Sequence, residues 1–352
     1  MPFDPSFRPV GFNFGGWISQ APLTDAHTLE FIKEEDFKTI ARWGFNSVRL
    51  PLDAPWLYQE GGLGPRQKSR WDLLKTYLGW ARDAGLLTIL DLHQVPWHSF
   101  AKPELENLWR NEKDLNSFCR LWEGLAGDLR EFGDGLWLEI LNEPTARESK
   151  DWNRVALRVL EAIRKADPHR VVVIESTFWG AIDRLPDLCA GIQDDRVVYS
   201  FHFYSPMFVT HQSAPWWKDG SAYTERVEYP GSLPKANEYL AREIPQATRI
   251  FLEREGNTHW DRESLMDWFK PLLPLLKKGL PLYCGEFGVY EKAPRSTRVE
   301  WTRDVVGIFK ELGIGWSYWN YKWLDFGVWP KTPEGQTAPL DAQMLEILQK
   351  GI

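Results

Sequence analysis

The sequence predicts a (β/α)8 barrel with long βα loops, one domain spanning residues 1–352, and three observations carry that reading. Eight short runs of β-branched or apolar residues alternate with segments of helical period, the pattern of a parallel sheet covered by helices. Polar residues collect at the C-terminal ends of those runs, the edge where barrel enzymes keep their active sites. The length, 352 residues, lies within what such barrels reach when their loops carry insertions.

The strands are expected at Val10 to Gly16, Ser47 to Leu52, Leu86 to His93, Leu136 to Glu143, Val171 to Ser176, Val197 to Tyr204, Leu280 to Gly288 and Ile314 to Tyr321. Helical period marks Glu34 to Trp43, Ser69 to Ala84, Glu112 to Phe132, Asp151 to Ala166, His259 to Lys278 and Arg298 to Leu312, with Ala342 to Lys350 closing the ring. Ala84-Gly85 and Asp167-Pro168 supply stops for two of these helices. Thr177 to Arg196 has too little helical pattern for a full helix. Ser205 to Thr258, broken by five prolines, reads as a long insertion on the catalytic side. A doubly wound sheet is the competing fold, but Gly15-Gly16 lacks the GxGxxG spacing of a phosphate turn, and Gly61 to Ser69 is only a superficial P-loop.

Composition narrows the function. Hydrophobic residues make up 43% and charged residues 26%, the balance of a globular protein, and no fixed repeat suggests a solenoid or propeller. The net charge of -7 without a basic block argues against nucleic acid as partner, and no apolar run approaches a bilayer span. A monomer is expected. The first residues show no charged and apolar leader, which implies a cytoplasmic protein if Met1 is the native start and a secreted one if a leader was removed. Cys119, Cys189 and Cys284 are widely spaced and odd in number, so they read as small buried apolar residues, not as disulfides or zinc ligands.

Arg49, His93, Asn142-Glu143, His202, Tyr204, Glu286 and Trp319 all fall at or near predicted strand ends. Glycosidic cleavage with retention needs two carboxyls about 5–5.5 Å apart. Glu143 and Glu286, from the fourth and seventh strands, fit by placement. Glu139, four residues before Glu143, is expected to pair with Arg49 as structural support. Of the 20 tryptophans, Trp17, Trp97, Trp179, Trp216 and Trp217 follow strands on the catalytic side and are candidate sugar-stacking platforms. Trp43, Trp71, Trp80 and Trp122 lie in helical segments and read as packing.

With Val48-Arg49-Leu50-Pro51, Asp91-Leu92-His93, Leu138 to Pro144, His202-Phe203-Tyr204, Tyr283 to Gly288 and Trp316 to Asn320 in this order, the chain resembles glycoside hydrolase family 5, the old cellulase family A, over nearly its whole length. The resemblance implies that Glu143 is the general acid and then the general base, and that Glu286 forms the covalent glycosyl-enzyme. It implies substrate contacts from Arg49, His93, Asn142, His202, Tyr204 and Trp319, with Asn142 at the sugar 2-hydroxyl, and an oligosaccharide or polysaccharide as partner. A hydrogen bond from Tyr204 is expected to help hold Glu286 ionised. No cofactor and no metal are expected, since His93 has no histidine two residues away.

Substrate choice stays open among endo-β-1,4-glucanase, placed first, exo-β-1,3-glucanase or β-glucosidase, and β-mannanase. Gly11 to Trp17 and His93-Gln94-Val95-Pro96 resemble the exo-β-1,3 branch. A sugar-binding barrel without catalysis is the alternative of another class, against which stand the two glutamates.

Overall fold

The computed structural model describes residues 3–105 and 107–352. Eight strands close into a parallel barrel: β1 (Val10–Asn13), β2 (Ser47–Asp53), β3 (Leu87–Gln94), β4 (Leu136–Glu139), β5 (Val172–Glu175), β6 (Val197–Phe203), β7 (Leu282–Phe287) and β8 (Gly315–Tyr318). Each neighbours the next in sequence and β8 returns to β1, with helices between strands, so the (β/α)8 expectation is met. All eight runs became strands because residues such as Val172-Val173-Ile174 are β-branched and buried on both faces, as a helix-covered parallel sheet requires.

The chain forms two compact units. The first runs through His202 and adds residues 271–285 and 314–318, so it holds nearly all of the barrel. One cluster of its core joins Leu87, Ile89, Trp137, Val171, Val173, Val198 and Tyr283. Gly11 is obligatory there: a Cβ would stand 1.8 Å from the Ser47 carbonyl oxygen, closer than any side chain can sit. The second unit comprises residues 203–270, 286–313 and 319–352. It contains short helices at Met207–Thr210, Ala236–Leu240 and Gln246–Glu255, a two-residue antiparallel pairing of Gly231–Ser232 with His259–Trp260, and the helices Arg295–Leu312 and Ala342–Gln349.

Several boundaries differ from the sequence reading. The β4 ladder ends at Glu139, four residues early. The helix expected over Glu112 to Phe132 stops at Asp128 and passes into a tight turn, Arg130–Gly135, where Gly133 takes φ 53°. The helix expected over His259 to Lys278 is broken. Trp260 belongs to the small pairing, Asp261 caps a helix at Arg262–Trp268 by accepting from the Ser264 N–H, Pro271 lies in a tight turn at Lys270–Leu272, and Pro274 opens a separate short helix, Leu273–Lys277. Helices at Asp25–Phe31 and Leu185–Gly191 lie outside the expected pattern. Ser149–Ala166 ends where Asp167-Pro168 predicts, and Gly85 at φ 74° comes just after the helix Lys68–Asp83. Cys189 and Cys284 are buried thiols, but Cys119 is only half-buried, on a helix face that is partly open.

Candidate active site

In the first unit the site is built around one guanidinium. Arg49, inward on β2 and fully buried, donates from Nε to Glu139 Oε2 at 2.7 Å and from Nη2 to Glu139 Oε1 at 3.3 Å. Nη1 reaches Asn13 Oδ1 at 3.0 Å, and Nη2 also meets Asn142 Oδ1 at 2.8 Å and Asp91 Oδ2 at 3.0 Å. The expected pairing of Arg49 with Glu139 is present. Because guanidinium only donates, Asn142 must present its oxygen to Arg49, which orients its amide nitrogen away as a donor. His93 Nδ1 lies 2.7 Å from Asp91 Oδ2, two residues back on the same strand face.

Two carboxyls on one cation cannot both ionise without leaving net negative charge in a buried place. Burial accordingly pushes Asp91 up to about 7 against the pull of Arg49, and it raises Glu139 in the same direction for the same reason.

Glu143 stands beyond the end of β4 with a left-handed backbone, φ 44°. This conformation is sparsely populated for a non-glycine residue, and the surroundings hold it at both ends. Its N–H donates to Glu175 Oε2 at 3.0 Å, and its carbonyl accepts from His98 Nε2 at 3.1 Å. Burial lowers His98 to about 4, so the ring is neutral and its Nε2 proton is committed to that carbonyl. The Glu143 side chain meets His202, whose Nδ1 is 3.1 Å from Glu143 Oε1. Burial drives His202 far below the ordinary histidine value, and burial beside Glu139 and Glu143 drives Glu175 well above that of a free carboxyl.

In the second unit Glu286, the fifth residue of β7, is 5% exposed and accepts a hydrogen bond from the Tyr204 hydroxyl at 3.0 Å, the contact expected. Thr210 Oγ1 in turn donates to the Tyr204 carbonyl, which fixes the turn after β6. Trp319 follows β8; its N–H donates to the Phe287 carbonyl at 3.0 Å and its peptide to Asn320 is cis. Its ring joins Ala214, Tyr290 and Phe326, with Tyr204, Trp217 and Leu324 packed alongside.

The aromatic candidates separate by exposure. Trp17 is not a platform: it is fully buried, meets Phe14 and Phe37 edge-on and Tyr77 at a tilt, and donates its indole N–H to the Thr28 carbonyl. Trp97 is buried with its ring against Phe118. Trp179 is 37% exposed, with its indole N–H held by the Phe100 carbonyl at 3.0 Å. Trp216 is 49% exposed, and Trp217 lines a cavity of about 250 Å³ with Phe208, His211 and Tyr223.

Sequence reasoning missed Asn13, His98 and Glu175. Glu175 offered one clue, an acidic residue at the C-terminal end of a buried strand. Among the described residues, Glu139, Glu175 and His202 bring one ligand atom each within 4.8 Å, a set with the donor types of a metal site. Glu139 is already neutralised there by Arg49.

A closed parallel barrel with buried carboxyl, imidazole and guanidinium groups at its strand ends defines a (β/α)8 enzyme of carboxyl-based chemistry. The family model described as cellulase, glycosyl hydrolase family 5, matches residues 12–323. Endoglucanase C of Acetivibrio thermocellus is 33% identical over 347 residues, 98% of this chain and 98% of that protein. Cellodextrinase A of Ruminococcus flavefaciens is 30% identical over 306 residues, 86% of this chain and 82% of that protein. A solved structure described as a glycoside hydrolase superposes with a TM-score of 0.77 at 25% identity, covering 98% of this chain and 99% of that one. The chain belongs to glycosyl hydrolase family 5, a retaining family, and is a glycoside hydrolase.

Proposed function

We propose that this protein is an endo-β-1,4-glucanase acting by double displacement, with Glu143 as acid/base and Glu286 as nucleophile. The observation that carries the residue assignment is strand-end position: Glu143 follows β4 and Glu286 lies on β7, both at the C-terminal edge where barrel active sites gather. Similarity to endoglucanase C over 98% of both chains supports the substrate class.

In the first step a Glu286 oxygen attacks the anomeric carbon while the Glu143 proton passes to the departing glycosidic oxygen, so one C–O bond forms as the other breaks. In the second step Glu143 takes a proton from water, whose oxygen displaces Glu286 and restores the β configuration. Asn142, its amide turned by Arg49, donates to the sugar 2-hydroxyl, and Tyr204 steadies the Glu286 carboxylate. Trp319, His93 and His202 are assigned to substrate binding, as the family resemblance implies, and Trp97 and Trp179 by their place after strands. The chain works as a monomeric catalytic domain without metal or nucleic acid.

The test is hydrolysis of β-1,4-glucan, cellodextrins, β-1,3-glucan, mannan, xylan and aryl β-glycosides with product analysis. Internal cleavage of β-1,4-glucan with retention is expected. Release of single sugars from β-1,3-glucan or cleavage of mannan alone would replace the endoglucanase reading, and binding without turnover would replace the enzyme by a lectin-like barrel.

A further inference from the structure

Glu175 is a buried carboxyl that neither chemical step uses. It meets Glu143 by two routes. Its Oε2 accepts the Glu143 N–H at 3.0 Å and lies 3.4 Å from His202 Nε2, while the opposite ring nitrogen, Nδ1, is 3.1 Å from Glu143 Oε1. The backbone and the side chain of one residue are thus both referred to a single oxygen on β5.

We propose that Glu175 is a positioning residue for Glu143, aiming its carboxyl through the main-chain N–H and through the imidazole of His202. The proposal rests on the assignment of Glu143 as acid/base.

The proton inventory explains why a carboxyl is needed. His202 is neutral, so it carries one N–H. The groups facing Glu175 are Glu139 from β4, Glu143 beyond it, His202 from β6 and Arg49 from β2. Arg49 is committed to Glu139, Asp91, Asn13 and Asn142, and burial beside Glu139 and Glu143 raises Glu175 well above an ordinary carboxyl. Oε2 accepts from the Glu143 N–H and stands 3.4 Å from His202 Nε2, near enough for a protonated Glu175 to turn its hydroxyl toward the ring. His202 then bears its proton on Nδ1 and presents it to Glu143 Oε1. With Oε1 accepting from the ring, the acid proton of Glu143 is left to Oε2 whenever the residue is protonated.

The packing leaves Glu175 little freedom. Trp152 donates its indole N–H to the Glu175 carbonyl at 2.7 Å. Gly180, at φ 67°, closes over the carboxyl: a Cβ there would stand 2.3 Å from Glu175 Oε1 and 2.8 Å from the His202 backbone nitrogen.

A leaving-group comparison tests the role. kcat/KM for a dinitrophenyl β-cellobioside reports a glycosylation step that needs little acid assistance, whereas a cellodextrin needs the full proton transfer. Glu175→Ala is expected to lower kcat/KM on the cellodextrin about 100-fold and on the dinitrophenyl substrate less than about fivefold. Glu175→Gln keeps the volume but can only accept or only donate at the Oε2 position. It should show the same selectivity at about 10-fold, with thermal unfolding unchanged. Equal losses on both substrates in the Gln variant, or no loss, would overturn the positioning role. Glu143→Ala run alongside separates the two failures: if it loses both substrates equally, the acid/base assignment falls. If it is selective and Glu175→Gln is not, only the role of Glu175 falls.

Discussion

Arg49 grips Glu139 through two nitrogens, Nε to Oε2 at 2.7 Å and Nη2 to Oε1 at 3.3 Å, with both side chains fully buried. This fork ties β2 to β4 across the intervening β3. A lysine has one point charge in place of two parallel donors, and it abandons Asn13 and Asn142 as well. Arg49→Lys is expected to cost about 3–5 kcal/mol in urea unfolding, because one ammonium cannot serve the buried acceptors that the guanidinium holds. A loss below about 1 kcal/mol would show that the fork is not what secures these strands.

The two proposed catalytic carboxyls should separate kinetically. Glu286→Gln is expected to abolish turnover with the fold intact. Glu143→Ala should retain action on substrates with good leaving groups, with added azide restoring rate by capturing the glycosyl-enzyme. Full activity of either variant on cellodextrins, with circular dichroism matching wild type, would remove that residue from its role.

Tyr204 donates to Glu286 Oε2 at 3.0 Å, so Tyr204→Phe deletes one hydrogen bond to the proposed nucleophile and little volume. A fall of about 10- to 100-fold in kcat is expected, with the melting temperature nearly unchanged. An unaltered kcat would mean the hydroxyl is spent on structure alone.

Stability should decline with rising pH through the Asp91 and Glu139 pair. Burial holds both carboxyls above the unfolded value near 4, Asp91 at about 7, so the folded state binds more protons than the unfolded chain between those pH values. Their contribution is complete below about pH 4 and is lost as pH climbs through about 7. Urea titrations at about pH 5 and about pH 8 should give a smaller fall for Glu139→Gln than for wild type. Identical falls would refute the assignment of protons to this pair.

Activity is expected to survive prolonged treatment with a chelator, since Arg49 already neutralises Glu139 in the described trio with ligand-type donors that surrounds it. Loss on chelation with recovery on adding a divalent cation would reassign that trio as a metal site.

Local chemistry made the barrel legible in the chain. Alternation of β-branched runs with helical period located all eight strands, and the prolines that break His259 to Lys278 stood in the sequence even though the period overrode them. Spacing before Glu143 was enough to pair Glu139 with Arg49, and the need to hold Glu286 ionised, raised by the family resemblance, paired it with Tyr204. Its place just after a strand put Trp17 on the catalytic side, yet the indole is enclosed by Phe14, Phe37 and Tyr77, which come from three separate segments.

What the amino-acid order determined alone is the strand and helix pattern, the family motifs and the chemical type of each strand-end residue, because those depend on near neighbours. The left-handed turn at Glu143, held by Glu175 from β5 and by His98 from the loop after β3, was decided by tertiary structure. A backbone N–H takes whichever acceptor folding brings within hydrogen-bonding reach, and no spacing in one dimension encodes an oxygen 32 residues away.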